Sequence, residues 1–205
     1  MGRAPDISLK KQAKQSRSVA TVAALVEAAT YILREEGPRG FTANKVAERA
    51  GVNIASFYQY YPNKQALLFH VARLEWERQL ERLSPILTRP GADHADKLRD
   101  FICEFFLIEA AEADLRRALR IAAIDLRETA EFGALIAQGA KLMREFLEQA
   151  VPAADAAEID VAVSFIVPLV TSFAERLTDQ GISEPVLRRH AGTLSTMLIA
   201  QYGMR

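Results

Sequence analysis

The chain has 205 residues, half of them hydrophobic and a quarter charged, with 26 basic and 26 acidic side chains in formal balance. That composition builds a globular protein with a substantial core in one or two domains, and a net charge of zero argues by itself against a generic nucleic-acid binder. The single cysteine, Cys103, excludes an intramolecular disulfide.

A reducing cytoplasm therefore fits. No apolar run reaches the roughly 18 residues of a membrane-spanning helix. The N-terminus lacks the apolar core of a signal peptide. The charge balance hides an asymmetry: residues 1–70 hold ten Lys or Arg against five Asp or Glu, an excess of +5, so the remainder carries −5. A basic head on an acidic body suits a molecule that sets one end on phosphates.

Residues 1–16 are polar and basic, with Arg3, Lys10, Lys11 and Lys14. They read as an arm without fixed structure of its own, which either follows DNA or is a solvated leader. From Arg17 to Glu36, Val22, Leu25, Val26, Ala29, Ile32 and Leu33 recur at helical spacing until Gly37 and Pro38. The stretch Thr42–Lys64 then reads as two short helices about a tight turn. Thr42 can N-cap the first, whose inward face is Val46, Ala47 and Ala50. Gly51 stands where a left-handed backbone is needed. Asn53 can N-cap a second helix over Ile54–Tyr60, with Phe57 and Tyr61 on its inward face. This is a helix-turn-helix, whose second helix can enter a major groove.

Thr42, Val46-Ala47, Ala50-Gly51-Val52, Phe57-Tyr58, Tyr60-Tyr61 and Asn63-Lys64, with Leu67 after them, resemble the DNA-binding signature of the TetR family of bacterial transcriptional regulators. Arg17, Ala28-Ala29, Gly37 and Phe41 extend the resemblance over about the first third of the chain. Asn53, Ala55, Phe57 and Tyr61 depart mildly from the family pattern, which bears on the operator rather than on the fold. The resemblance implies an all-α protein with a three-helix DNA-binding head (residues 17–63) and a helical effector-binding and dimerisation body (64–205), about nine helices in all. Asn44, Lys45, Asn53, Ala55, Ser56, Gln59 and Tyr60 are expected to face DNA, and Thr42, Tyr58 and Lys64 to anchor phosphates. Lys64 lies in the first turn of a helix, where the dipole opposes a cation unless a phosphate is held there too.

The body pattern is helical throughout, with no convincing strand. Leu67 to Leu83 continue the Lys64 helix as a rod, ended at Pro85, Pro90 and Gly91. Further helices start near Asp93, Asp114 and Thr129. Asp155 and Glu158 have capping-box spacing before a strongly apolar helix, and Ser183-Glu184-Pro185 opens the last one. Ile159–Phe173 is apolar nearly all round, so it must be buried on several sides, in part by a second subunit. Leu187, Ala191, Leu194, Leu198 and Tyr202 offer a face for a twofold four-helix interface; plain monomer core is the alternative. A small-molecule pocket is expected among Trp76, Phe101, Phe105, Met143, Phe146, Ser164, Phe165 and Pro168, where Pro168 frees a carbonyl and kinks the helix.

No catalytic motif, cofactor motif or metal-ligand spacing occurs. His70, His94 and His190 read as surface or boundary residues, and Glu109 with Glu112 as a solvated face. Cys103, with no basic neighbour in sequence, reads as a buried apolar side chain. The expectation is a homodimeric, cytoplasmic, nucleoid-associated bacterial repressor. It would bind a palindromic operator in double-stranded DNA and be released by a small apolar or amphipathic effector, without membrane contact. The alternative is a DNA-binding architectural or spatial regulator controlled by a protein partner.

Overall fold

A computed structural model describes residues 5–8, 10 and 16–204. The described residues form ten α-helices and one 3-10 turn, with no strand. In order they are α1 (Ser16–Glu35), α2 (Gly37–Gly40), α3 (Ala43–Arg49), α4 (Ile54–Tyr60), α5 (Lys64–Thr88), α6 (His94–Ala111), α7 (Ala113–Ala122), the 3-10 turn Ile124–Leu126, α8 (Ala130–Ala150), α9 (Ala156–Asp179) and α10 (Glu184–Tyr202). The short α2 is the element the sequence reading left out. Gly37 takes φ +68° and Pro38 presets the next backbone angle, so the chain makes one more turn after α1 stops.

Two compact units divide the chain, and their boundary differs from the expected one at residue 64. The first comprises the chain up to Trp76 together with Asp114–Gly133; the second comprises Glu77–Ala113 and the chain from Ala134 onward. The physical reason is apolar burial. Leu115, Ala118 and Leu119 of α7, with Ala123 and Leu126, are buried in the same cluster as Leu25, Ile32, Phe57, Tyr61 and Leu67. A helix that follows a body segment in sequence therefore completes the core of the head.

Within the first unit α1 packs on α3, and α3 on α4. The second unit is built chiefly on α6 against α10 and α9. Its core gathers Leu98, Ile102, Phe106, Leu147, Ile166 and Leu187. The capping box forms: Glu158 N–H donates to Asp155 Oδ1 at 2.9 Å and Asp155 N–H to Glu158 Oε2 at 2.9 Å. Helix α5 runs through Pro85 to Thr88 instead of stopping near Leu83. Pro85 lies in the last turn, and Glu81, whose carbonyl loses its helical partner, is exposed like the proline itself, so water can compensate.

Candidate nucleic-acid interface

Helices α3 and α4 are held by the local features the sequence indicates. Thr42 Oγ1 accepts from Lys45 N–H at 3.3 Å, and Asn53 Oδ1 from Ala55 N–H at 2.8 Å. Gly51 has φ +66° between them, the left-handed region where a Cβ would be strained. Val46, Ala47, Phe57 and Tyr61 point into the core. Thr42, Asn44, Lys45, Asn53, Ala55, Tyr58, Gln59 and Lys64 are exposed, and Ser56 is half-buried. Tyr60 departs from expectation. It is 7% exposed and packs in the head core, so its side chain does not face outward with the others.

Thr42, Asn44, Tyr58 and Lys64 come together at one open cleft of about 380 Å³, with Pro62 and Asn63 on its wall. Three chain segments meet there, which no local pattern specifies. The Lys64 ammonium donates to the Phe41 carbonyl at 3.4 Å. Lys45 is ion-paired with Glu36, both largely exposed. Such a pair contributes little to stability, so the lysine remains available to a phosphate.

Two supporting contacts escaped the sequence reading because they join distant positions. The Arg49 guanidinium lies 3.1 Å from the centre of the Tyr31 ring, a cation–π contact from the end of α3 to α1. The Tyr61 hydroxyl, at the end of α4, is 2.6 Å from His70 Nδ1. Burial, reinforced by the charge of Arg73, lowers the His70 pKa below its ordinary value. Burial likewise raises that of Tyr61. His70 is half-buried, a boundary residue that partners the head core. Arg3, Lys11 and Lys14 of the arm lie outside the described residues, but residues 5–8 and 10 do not match an arm without fixed structure: Ile7 is buried against the head.

In the second unit the expected site residues separate. Phe101, Phe105, Met143 and Phe146 share one core, with the first two rings stacked at 6.4 Å. Ser164, Phe165 and Pro168 are exposed on the opposite side of α9 from its buried Ala162, Ile166 and Val170, so they do not line an interior space. Trp76 belongs to the first unit. Leu187, Ala191, Leu194 and Leu198 are buried in the protomer's own core, and Tyr202 is half-buried; monomer packing uses this face, and it is not free to form a subunit interface. What α9 and α10 leave most uncovered instead is Val161, Phe165 and Met197, at 67%, 53% and 64% exposure. Helix α9 is long and apolar enough to cross a membrane by length and composition alone, although it carries Asp160, Glu175 and Arg176.

Glu109 does not lie on a solvated face. It is buried rather than solvated and accepts from Gln79 Nε2 at 3.1 Å. Its four-residue spacing from Phe105 on the core stripe of α6 is the signal that marks it. Cys103 has a basic neighbour after all, Arg188 Nη1 at 3.5 Å from its sulfur, with the same guanidinium paired to Glu184. An open concavity of about 370 Å³ lies between Leu147, Val151, Ile159, Ala162 and Tyr202, a different set from the expected pocket. Among the described residues no cluster of His, Cys, Asp or Glu is arranged to hold a metal.

Residues 25–71, which include α3, α4 and the cleft, match the family model for bacterial regulatory proteins of the tetR family. Residues 25–71 therefore resemble the DNA-binding region of that family. It is 33% identical over 107 residues to the HTH-type transcriptional regulator CymR of Pseudomonas putida, a stretch that covers 49% of this chain and 51% of CymR, so the match spans about half the length of that relative. The fold is that of the fatty acid degradation regulator FadR from Bacillus halodurans (TM-score 0.70, 17% identity, 90% of this chain and 97% of that one). It is also that of the transcriptional regulator FadR from Bacillus subtilis, solved with stearoyl-CoA (TM-score 0.68, 18% identity, 84% and 96%).

Proposed function

We propose that this protein is a dimeric transcriptional repressor of the TetR family that binds a palindromic operator in the bacterial cytoplasm and is released by a small amphipathic effector. The observation that carries the DNA reading is the cleft where Thr42, Tyr58 and Lys64 meet beside the exposed face of α4. An ammonium, two hydroxyls and the start of α5 there make a phosphate seat. Asn44, Lys45, Asn53, Ala55, Ser56 and Gln59 then lie along the base edges of a major groove. Two heads would read half-sites about one helical turn apart, or a multiple of it.

The second copy covers Val161 and Phe165 of α9 and Met197 of α10, three of the large apolar side chains that the described residues leave in water. Within the second unit Gln79 and Glu109 are buried and hydrogen-bonded to each other, alongside buried Lys97, Thr178 and Ser195, and the pair is a suitable anchor for the head of an amphipathic ligand. Helix α7 is joined directly to α6 of the second unit and belongs to the head's core, so a ligand that shifts α6 has a covalent route to the head. Such a ligand acts only through different affinities for the two head arrangements. The experiment is selection of bound DNA from a random pool, followed by release with acyl-CoA and aromatic candidates. A palindromic consensus released by one ligand class supports the reading, and recovery of no consensus rejects it.

A further inference from the structure

The described arm residues are tied to both sides of the α4–α5 junction. Ile7 is 6% exposed, inside the head's core cluster. Asp6 Oδ1 accepts from the Ser8 N–H at 3.0 Å and from the Ser8 hydroxyl at 2.6 Å, an Asx-type turn that shapes the segment. The Asp6 carbonyl accepts from Asn63 Nδ2 at 2.8 Å, and the other end of that amide caps α5, with Asn63 Oδ1 accepting from Ala66 N–H at 2.8 Å. Lys10 reaches the other helix. Its N–H donates to the Tyr60 carbonyl at 3.0 Å and its ammonium to the Tyr58 carbonyl at 3.4 Å.

The seven residues of α4 are too few to be stable alone, and the last carbonyls of any helix lack helical partners. Lys10 satisfies two of them and places a cation at the negative end of the helix dipole. Tyr58 stands on α4 and Lys64 on α5, and both line the cleft. One phosphate can engage both only if the junction between the helices is fixed.

We infer that residues 6–8 together with Lys10 form a splint across the α4–α5 junction, with Ile7 and Lys10 as positioning residues that hold Tyr58 and Lys64 on the same phosphate. This rests on the DNA-binding reading of the cleft. The splint acts through helix order, in contrast to a basic arm that acts through its charge.

The test uses the full chain with Ile7→Ala, Lys10→Pro, which removes the N–H, and Lys10→Ala, which keeps it. Operator binding is followed across a salt series, and amide exchange of the Tyr58–Ala66 region is measured in the DNA-free protein. Each lost contact weakens a head by roughly threefold, so a two-headed complex should lose on the order of tenfold. Ile7→Ala and Lys10→Pro are expected to show that loss at every salt concentration with an unchanged slope and faster exchange at the junction. Lys10→Ala should lose less. Wild-type affinity and exchange in Ile7→Ala and Lys10→Pro overturn the splint. So does a salt slope lowered by roughly 1.8 in Lys10→Ala with no effect of Ile7→Ala, which marks a plain phosphate contact. If the wild type selects no DNA, the DNA reading fails, and exchange alone decides the splint: faster in the variants keeps it, unchanged ends it.

Discussion

The DNA-reading helices and the last hairpin leave opposite kinds of surface in water. On α3 and α4 the exposed side chains are mostly polar, while Val46, Phe57 and Tyr60 are buried. On α9 and α10 the core side is equally well filled, yet Val161, Phe165 and Met197 stay exposed. The first surface is finished as it stands and waits for a polar polymer. The second is unfinished, because side chains of this size would stabilise the protein by about 1.5–3 kcal/mol each on full burial. On the proposed reading, the difference separates residues that build a protomer from residues that would join two.

Leu194→Glu puts a carboxylate where 6% of the side chain is exposed and the surroundings are apolar, so the second unit should unfold, a loss above about 4 kcal/mol. Phe165→Glu changes an exposed residue and should leave helicity and melting of the protomer intact while converting dimer to monomer. Light scattering and circular dichroism on both variants separate the two outcomes; a folded, dimeric Phe165→Glu would remove α9 from the interface.

A smaller effect is expected at the head. Asn53→Ala removes the α4 cap and should cost about 1 kcal/mol in a denaturant melt. Asn53→Ser keeps a capping oxygen, so it should recover most of that stability and still alter base preference in a repeated selection. Equal melts for both variants would mean that the cap is dispensable.

The smallest effect is a pH dependence. The fold lowers the His70 pKa below the 6.5 of a free side chain, so the neutral ring is the form that the native state prefers. Between the two values the unfolded chain binds more protons, and stability rises with pH. The contribution is therefore full above pH 6.5 and is lost as pH falls through the lowered value. His70→Gln should flatten the melting temperature between pH 7 and the acid side of that window, within about the limits of the histidine range. A profile identical to wild type would show that the burial of His70 carries no linkage.

The head was legible because its instructions are local. Thr42, Gly51 and Asn53 act within three residues of themselves, and the observed bounds of α4 are those read from the chain. What was illegible depended on distance. Tyr60 sits on the reading helix but packs inward, and only the neighbours supplied by the fold reveal it. Leu187, Leu194 and Leu198 have the spacing of any buried stripe, and periodicity cannot say whether the covering partner is the same chain or another. Leu115 and Leu119 lie far from α1 in sequence yet share its core, so the expected domain boundary fell short.

If a phosphate enters the cleft between Tyr58 and Lys64, operator affinity across a salt series for wild type, Lys64→Ala and Tyr58→Phe reports it directly. Each neutralised phosphate contributes about 0.9 to the slope of log K against log salt, so a dimer lacking both lysines should have a slope lower by roughly 1.8. Tyr58→Phe removes a neutral hydroxyl and should weaken each head by about 1 kcal/mol with the slope unchanged. A Lys64→Ala slope equal to wild type, with the change appearing in Tyr58→Phe instead, contradicts the placement of α5 on the phosphate backbone.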